Sequence, residues 1–267
     1  MKTKKMALIS ILFVFIIVAI LVCVSMFSLK KNEVVYAVSD EYESEAVQEV
    51  LDGYLGKNLV FLDVEKIKEE LSIFTYIEVV SIKKDYPNVL KVELKERREI
   101  YYLENGDRIY VLTDDGYVIN SYDKATFTYS NLRDKIILKL SGVNPSLVTV
   151  GQKLKTDKSE LLDTVFEMAK SVDLTDCIKE ISLINAPEKK WAIFSTYTGV
   201  DMRIIDIDKH GIEKIEKAFS VYDAQANDFE KTFNVIEVIE DVNGNMVATW
   251  KTSDVILEES TPEQSGQ

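Results

Sequence analysis

From Met6 to Leu29 the chain runs for 24 positions without a charged residue. As a helix rising ~1.5 Å per residue this stretch would be about 36 Å long, more than the ~30 Å hydrocarbon core of a bilayer requires. Lys2, Lys4 and Lys5 precede it. The positive-inside bias therefore places the N-terminus in the cytoplasm and everything after Leu29 outside it. Lys30 and Lys31 on the far side oppose that bias, but the α-amino group adds to the first cluster. A cleaved signal peptide is the alternative. Its apolar region would span about 7–15 residues, which this run exceeds. Val35-Tyr36-Ala37 offers the small or branched residues a peptidase reads, but four polar residues separate it from the apolar run. Val22 stands before Cys23 where a lipoprotein would need a small residue. The expectation is an uncleaved anchor.

Beyond the anchor the chain is acidic. The whole sequence holds 32 basic and 45 acidic residues, for a net charge of −13, and residues 1–29 take three of the lysines and none of the acids. Such a region repels nucleic acid and anionic membrane surfaces and favours partners with basic or apolar contact patches. A hydrophobic content of 46%, with 11 Phe and 13 Tyr, suffices for real cores in one large or two ordinary domains. Cys23 and Cys177 lie on opposite sides of the anchor boundary, so no intramolecular disulfide is expected.

The first segment after the anchor reads as β-α-α-β-β. Val34–Val38 is a short strand. Ser44 can cap a helix with Ala46, Val47, Val50, Leu51, Tyr54 and Leu55 inward and Gly56 as its stop. Asp63 can cap a second helix with Val64, Ile67 and Leu71 inward and Lys66 and Glu70 paired at i,i+4 outside. Ile77–Lys84 is extended, Asp85-Tyr86-Pro87-Asn88 is a turn, and Leu90, Val92 and Leu94 then alternate with Lys91, Glu93 and Lys95 as a half-buried strand does.

After residue 100 short strands and tight turns dominate. Asn105-Gly106, Asp115-Gly116 and Asn243-Gly244 are hairpin signals, because such pairs tolerate positive φ at both central positions. Strands are expected at Tyr110–Leu112, Tyr117–Ile119, Ile136–Leu140, Ile178–Leu183, Ala192–Thr196, Val200–Ile205, Val235–Ile239 and Met246–Trp250. Two helices interrupt them. Lys158–Ser171 would turn Leu161, Leu162, Val165, Phe166 and Ala169 inward, and Asp208–Tyr222 would turn Ile212, Ile215, Ala218, Phe219 and Tyr222 inward. The fold class is thus α+β: cytoplasmic tail 1–5, transmembrane helix 6–29, a β-α-α-β-β module over 30–100, a mixed β-rich domain with two helices over 101–257, and a polar disordered tail 258–267.

Catalytic chemistry has little raw material here. One histidine rules out a two-His zinc site, and no cysteine pair has ligand spacing. No nucleophile elbow, phosphate loop or dinucleotide fingerprint occurs. His210 reads as a solvated first-turn residue, and Asp114-Asp115-Gly116 reads as a hairpin turn, because the further calcium ligands are missing. A carboxylate pair at glycosidase spacing remains open among so many acids. No enzyme activity and no cofactor are expected.

Three stretches carry a family resemblance. These are Asn58-Leu59-Val60-Phe61-Leu62-Asp63, the run Asp85-Tyr86-Pro87-Asn88-Val89-Leu90-Lys91-Val92-Glu93-Leu94-Lys95-Glu96-Arg97, and Val111-Leu112-Thr113-Asp114-Asp115-Gly116-Tyr117-Val118-Ile119. In that order, behind a Lys-rich tail and one anchor, they resemble the FtsQ/DivIB family of bacterial cell-division proteins. Arg98-Glu99 depart from it, standing where the family usually has Pro and a small apolar residue. The resemblance implies a POTRA module followed by a β domain, in a non-enzymatic divisome scaffold of the cell membrane at the division septum. It further implies that the scaffold binds the small bitopic proteins FtsB/DivIC and FtsL and helps control septal peptidoglycan synthesis. Another single-pass POTRA scaffold or sensor, in secretion or sporulation, and an anchored cell-wall hydrolase are the rival readings.

The candidate partner site is the last expected strand, with Met246, Ala248 and Trp250 on one face and Val247 and Thr249 on the other. A final strand is often an edge strand, whose unpaired N–H and C=O groups can template another chain. In the family the last strand, with its Val and Trp, is where FtsB/DivIC docks; here Val247 and Trp250 match with one extra residue between them. The alternative is that Trp250 closes the core of its own domain.

Overall fold

The computed structural model describes residues 2–36, 44–132, 138–156, 159–172, 177–186, 189–224 and 234–252. It divides into two compact units, Met1–Arg97 and Arg98–Gln267. The expected strand residues Ala37 and Val38, the first two residues of the strand expected at Ile136–Leu140, and the polar tail lie outside the described residues.

In the first unit, helix α1 spans Lys2–Met26. Its described apolar side chains, Ile11–Val18 and Ile20–Val22 among them, are exposed. Among the described residues no helix is long and apolar enough to cross a membrane. The end of the apolar run departs from expectation. The helix stops at Met26, and Leu29 is 1% exposed, packed in the core of the module that follows. Backbone hydrogen bonds fix it there: Leu29 N donates to Lys57 O at 2.8 Å and Gly56 N to Leu29 O at 2.8 Å.

The module comprises β1 (Lys31–Tyr36), α2 (Ser44–Asp52), α3 (Val64–Leu71), β2 (Ile77–Asp85) and β3 (Val89–Glu96), the order read from sequence. β1 begins three residues earlier than expected because residues 27–30 are already tied to the loop after α2 and to Asn88. The strands lie in the order β1-β3-β2, with β3 central, parallel to β1 and antiparallel to β2. A central strand with one covered face should alternate, and β3 does: Leu90, Val92 and Leu94 are fully buried against Val47, Leu51, Ile67 and Leu71. Each such burial is worth roughly 1.5–3 kcal/mol. Asp63 caps α3 as expected, accepting from Glu65 N at 3.1 Å and Lys66 N at 3.3 Å. The Tyr54 hydroxyl donates to Glu70 at 2.7 Å, and burial, with Glu70 beside it, pushes this phenol up to about 12. Leu55, expected inward, is exposed: α2 ends at Asp52, and the turns that follow point Leu55 away from the core. The side chain of Ser44, the expected cap, is outside the described set.

The second unit holds β4 (Tyr101–Asn105), β5 (Arg108–Leu112), β6 (Val118–Asp123), β7 (Leu138–Ser141), β8 (Pro145–Leu147), β9 (Lys155–Thr156), α4 (Ser159–Ser171), β10 (Ile178–Ala186), β11 (Lys189–Thr196), β12 (Asp201–Ile204), α5 (Gly211–Ala224), β13 (Asn234–Glu240) and β14 (Met246–Thr252). Nine of these strands form one sheet, in the order β14-β13-β12-β11-β10-β7-β4-β5-β6. Two connections explain that order. β7 runs parallel to β10 with α4 between them in sequence, and β12 runs parallel to β13 through α5. Both are crossovers that lay a helix on the sheet. α4 and α5 cover the same face, since Val165, Phe166, Ile215 and Ala218 share one core with Leu140, Ile181, Phe194, Ile204 and Ile236. Every α4 residue expected inward is buried; on α5 Ile212 is instead exposed, one residue into the helix. β4, β8 and β9 were not foreseen. The first hairpin turns one residue later than expected: Asn105 pairs with Arg108, so Gly106 and Asp107 are central, and of the two only Gly106 has positive φ (+62°). That is the single-glycine form of a two-residue turn.

On the sheet's other face, the β4–β6 end is covered by an aromatic patch. Tyr102 and Ile109 are buried there under Phe127 and Leu132, and the Tyr102 and Tyr129 hydroxyls share a hydrogen bond of 3.0 Å.

Candidate partner-binding edge

β14 is the end strand of the sheet, and among the described residues only β13 pairs with it. The hairpin that returns it is built on Asp241. The Asp241 carboxylate accepts from Asn243 N and Asn245 N, both at 2.8 Å, while Asp241 N donates to Asn245 O at 2.9 Å. The backbone and side chain of Asn245 hold that carboxyl below its usual range. Gly244 takes the left-handed conformation at φ +81°; Asn243 does not, so the expected positive φ at both positions of this pair holds only at the glycine.

The strand's two faces differ as the alternation predicts. Ala248 and Trp250 pack, half-buried, on the main core, while Val247 is 39% exposed on the opposite face. Thr249 is exposed beside it, and Met246 is half-buried at the start of the strand. The site residues Met246, Val247, Ala248, Thr249 and Trp250 are thus contiguous on an edge strand.

Sequence reasoning missed what lies beside Val247. The open face of the sheet carries apolar side chains in cross-strand register: Ile184 stands opposite Trp191, and Ile239 opposite Val247. Between them Arg203 pairs with Ile193 on one side and Glu237 on the other. Its guanidinium lies 5.4 Å from the Trp191 ring centre and 3.7 Å from the Glu237 carboxylate. Lys251 reaches the same carboxylate at 3.0 Å. Two cations therefore share one anion, and Arg203 Nε is buried without an acceptor among the described residues. The signal was present in Trp191-Ala192-Ile193-Phe194, where apolar residues fill both faces of a strand.

Among the described residues, nothing comparable gathers around the other residues singled out from sequence. His210 is exposed, with φ +53° at the start of α5 and Glu213 3.8 Å away. Asp114 pairs with Lys170 at 3.1 Å, and Asp115 accepts from the Thr113 hydroxyl within its turn. Among the described residues no group of three or more His, Cys, Asp or Glu side chains is placed to hold a metal ion.

Residues 30–97 match the POTRA domain of FtsQ type. The cell division protein DivIB of Clostridium tetani is 25% identical over 164 residues, 61% of this chain and 58% of that protein. The cell division protein FtsQ of Bradyrhizobium diazoefficiens is 31% identical over 78 residues, 29% of this chain and 23% of that protein. The extracytoplasmic domain of DivIB from Geobacillus stearothermophilus aligns with 49% of this chain and 92% of its own length, at 15% identity and a TM-score of 0.31. The match to the clostridial protein thus leaves about two fifths of that relative's length unmatched. With an FtsQ-type POTRA domain over residues 30–97 and cell division proteins of both names among its relatives, the chain is similar to the FtsQ/DivIB proteins of bacterial cell division.

Proposed function

We propose that this chain is a non-enzymatic scaffold of the division machinery, held in the cell membrane by its N-terminal helix with residues beyond the helix outside the cytoplasm. At the septum it recruits small bitopic division proteins of the FtsB/DivIC and FtsL kind, and through them influences septal peptidoglycan synthesis. The anchor reading rests on the uncharged run. From Met6 to Met26 a helix would be about 30 Å long, the thickness of the hydrocarbon core.

The observation that carries the scaffold reading is β14. It is an edge strand with one outer rim unpaired among the described residues, in a domain that follows an FtsQ-type module. A partner strand added there would satisfy that rim. A carboxylate on the same partner would find Arg203 and Lys251, which among the described residues share the one carboxylate of Glu237.

The test is co-purification of the full chain with its FtsB/DivIC-type partner. Ala248→Pro, which removes an N–H from the strand, and Val247→Glu, which leaves the core-facing side chains untouched, should each lose the partner. Retention of the partner by both variants at wild-type yield would move the site elsewhere. A fluorescent fusion should give a midcell band, and depletion should give filaments; a uniform membrane signal in dividing cells would count against the septal role.

A further inference from the structure

The POTRA module has an exposed apolar surface at the point where α1 ends. The loop after α2 is bound to the residues that leave the helix: Leu59 N donates to Phe27 O at 2.7 Å, and the Ser28 hydroxyl donates to Gly56 O at 3.0 Å. This pins Val60 and Phe61 beside the helix terminus. Phe61 is 79% exposed, and Val60 and Tyr86 are also exposed, with the Tyr86 ring edge-on to Phe27 at 5.7 Å. Nothing in the core explains an aromatic ring held this far out at a defined place.

Lysines surround it. Lys84 donates to Val60 O at 3.1 Å, Lys57 lies over the Tyr54 ring at 3.9 Å, and Lys30 is tethered through its backbone to Asn88 O at 3.0 Å. The neighbouring acids are already engaged: Glu33 with Lys31 at 3.0 Å, Asp85 with Lys91 at 2.6 Å, and Asp63 as the cap of α3. In a chain of net charge −13, this rim is locally basic and aromatic. That is the composition found at membrane–water interfaces, where rings sit at headgroup depth and lysine stems extend along apolar surface to reach phosphates.

We infer that this rim rests on the lipid surface, with Phe61, Val60 and Tyr86 among the headgroups and Lys30, Lys57 and Lys84 facing lipid phosphates. The module is thereby held against the bilayer in a fixed orientation. The inference rests on reading α1 as a membrane helix. It is favoured over a protein partner because Phe27, against which Tyr86 packs, directly follows Met26, the exposed apolar residue that ends α1.

The test uses the full chain in nanodiscs of phosphatidylethanolamine and phosphatidylglycerol, with the photoreactive residue p-benzoylphenylalanine placed singly at Ile16, Phe61 or Ile73. Ile73 is an equally exposed apolar residue, at 77%. It lies just before β2, whose first residue pairs with the last of β3, at the end of the sheet away from the Asp85–Val89 turn. Illumination should give lipid adducts at positions 16 and 61, with several-fold less at 73. Adducts at 16 but none at 61, equal yields at 61 and 73, or a covalent dimer from 61 in place of a lipid adduct would each overturn the rim and leave the anchor standing. Absence of lipid adducts at 16 and 61 alike would overturn both.

Discussion

Trp250 stands directly opposite Ile236 across the last β-ladder, and it packs half-buried on the core that Ile236 helps to form. The last strand is therefore both an edge and a wall, and its two faces can be separated by mutation. Trp250→Ala should destabilise the second unit by about 2–3 kcal/mol, because a partly buried indole is lost from the core. Val247→Ala, on the open face, should change stability by no more than about 0.5 kcal/mol. Thermal melting checks this; equal losses would mean that the faces are not distinct.

The central strand of the POTRA module gives the same contrast. Val92 and Leu71 are fully buried in one cluster, and Val92→Ala or Leu71→Ala should cost roughly 2–4 kcal/mol. Lys95, exposed on the wet face of the same strand, should tolerate alanine. Denaturant titration of the three variants decides it; a Lys95→Ala loss as large as that of Val92→Ala would contradict the register.

Gly142 sits where β7 leaves the sheet beside β10, at φ +72°, and a Cβ there would lie 2.0 Å from the Leu183 carbonyl oxygen. Backbone cannot swing aside as a side-chain tip can. Gly142→Ala combines left-handed strain with overpacking and should cost roughly 3 kcal/mol. Loss of soluble yield, or a markedly lowered melting temperature for the second unit, is the readout. A silent Gly142→Ala would place the β7–β10 pairing in doubt.

The module was legible because its signals are local. The Asp63 cap, the helix stripes and the alternation of Leu90, Val92 and Leu94 each sit within a few residues of one another, and each had one geometric solution. The second unit was legible only as pieces. Strands such as Ile178–Ala186 and Lys189–Thr196 were near their expected places, but the position of β7 between β4 and β10 depends on pairings distant in sequence. Tyr101–Asn105 escaped notice because Tyr101 and Leu103 serve the main core while Tyr102 serves the aromatic patch, so the strand lacks a polar face. The edge position of β14 followed from its being last. The charges of its neighbours Arg203 and Glu237 did not, because only the sheet order brings them beside Lys251. The end of α1 was misplaced for a related reason: Leu29 continues the apolar run in sequence but belongs to the module's core in space.

Lys214 supplies the last test. Its side chain is 1% exposed, and its amino group donates to Ile205 O and Asp206 O, both at 2.9 Å. It clamps the loop in which Asp206 adopts φ +51°. Burial pushes this amine below the ordinary lysine value, against the pull of Asp206, Glu240 and Asp208. Below the depressed pKa the folded and unfolded chains both carry the proton, and the full cost of burying the charge is present. Between the depressed pKa and the ordinary value of 10.5 the unfolded chain binds the proton more strongly, so stability rises with pH across that window. The neutral amine keeps two N–H groups, enough for both carbonyls. Lys214→Met should cost about 1–3 kcal/mol at neutral pH, by leaving those carbonyls unpaired. The gap between wild type and variant should widen as pH climbs toward about 10.5, because only the wild type gains. Denaturant melts of both proteins across that range check the sign. A gap that narrows with rising pH would show that Lys214 owes its contribution to its charge and not to the two carbonyls it holds.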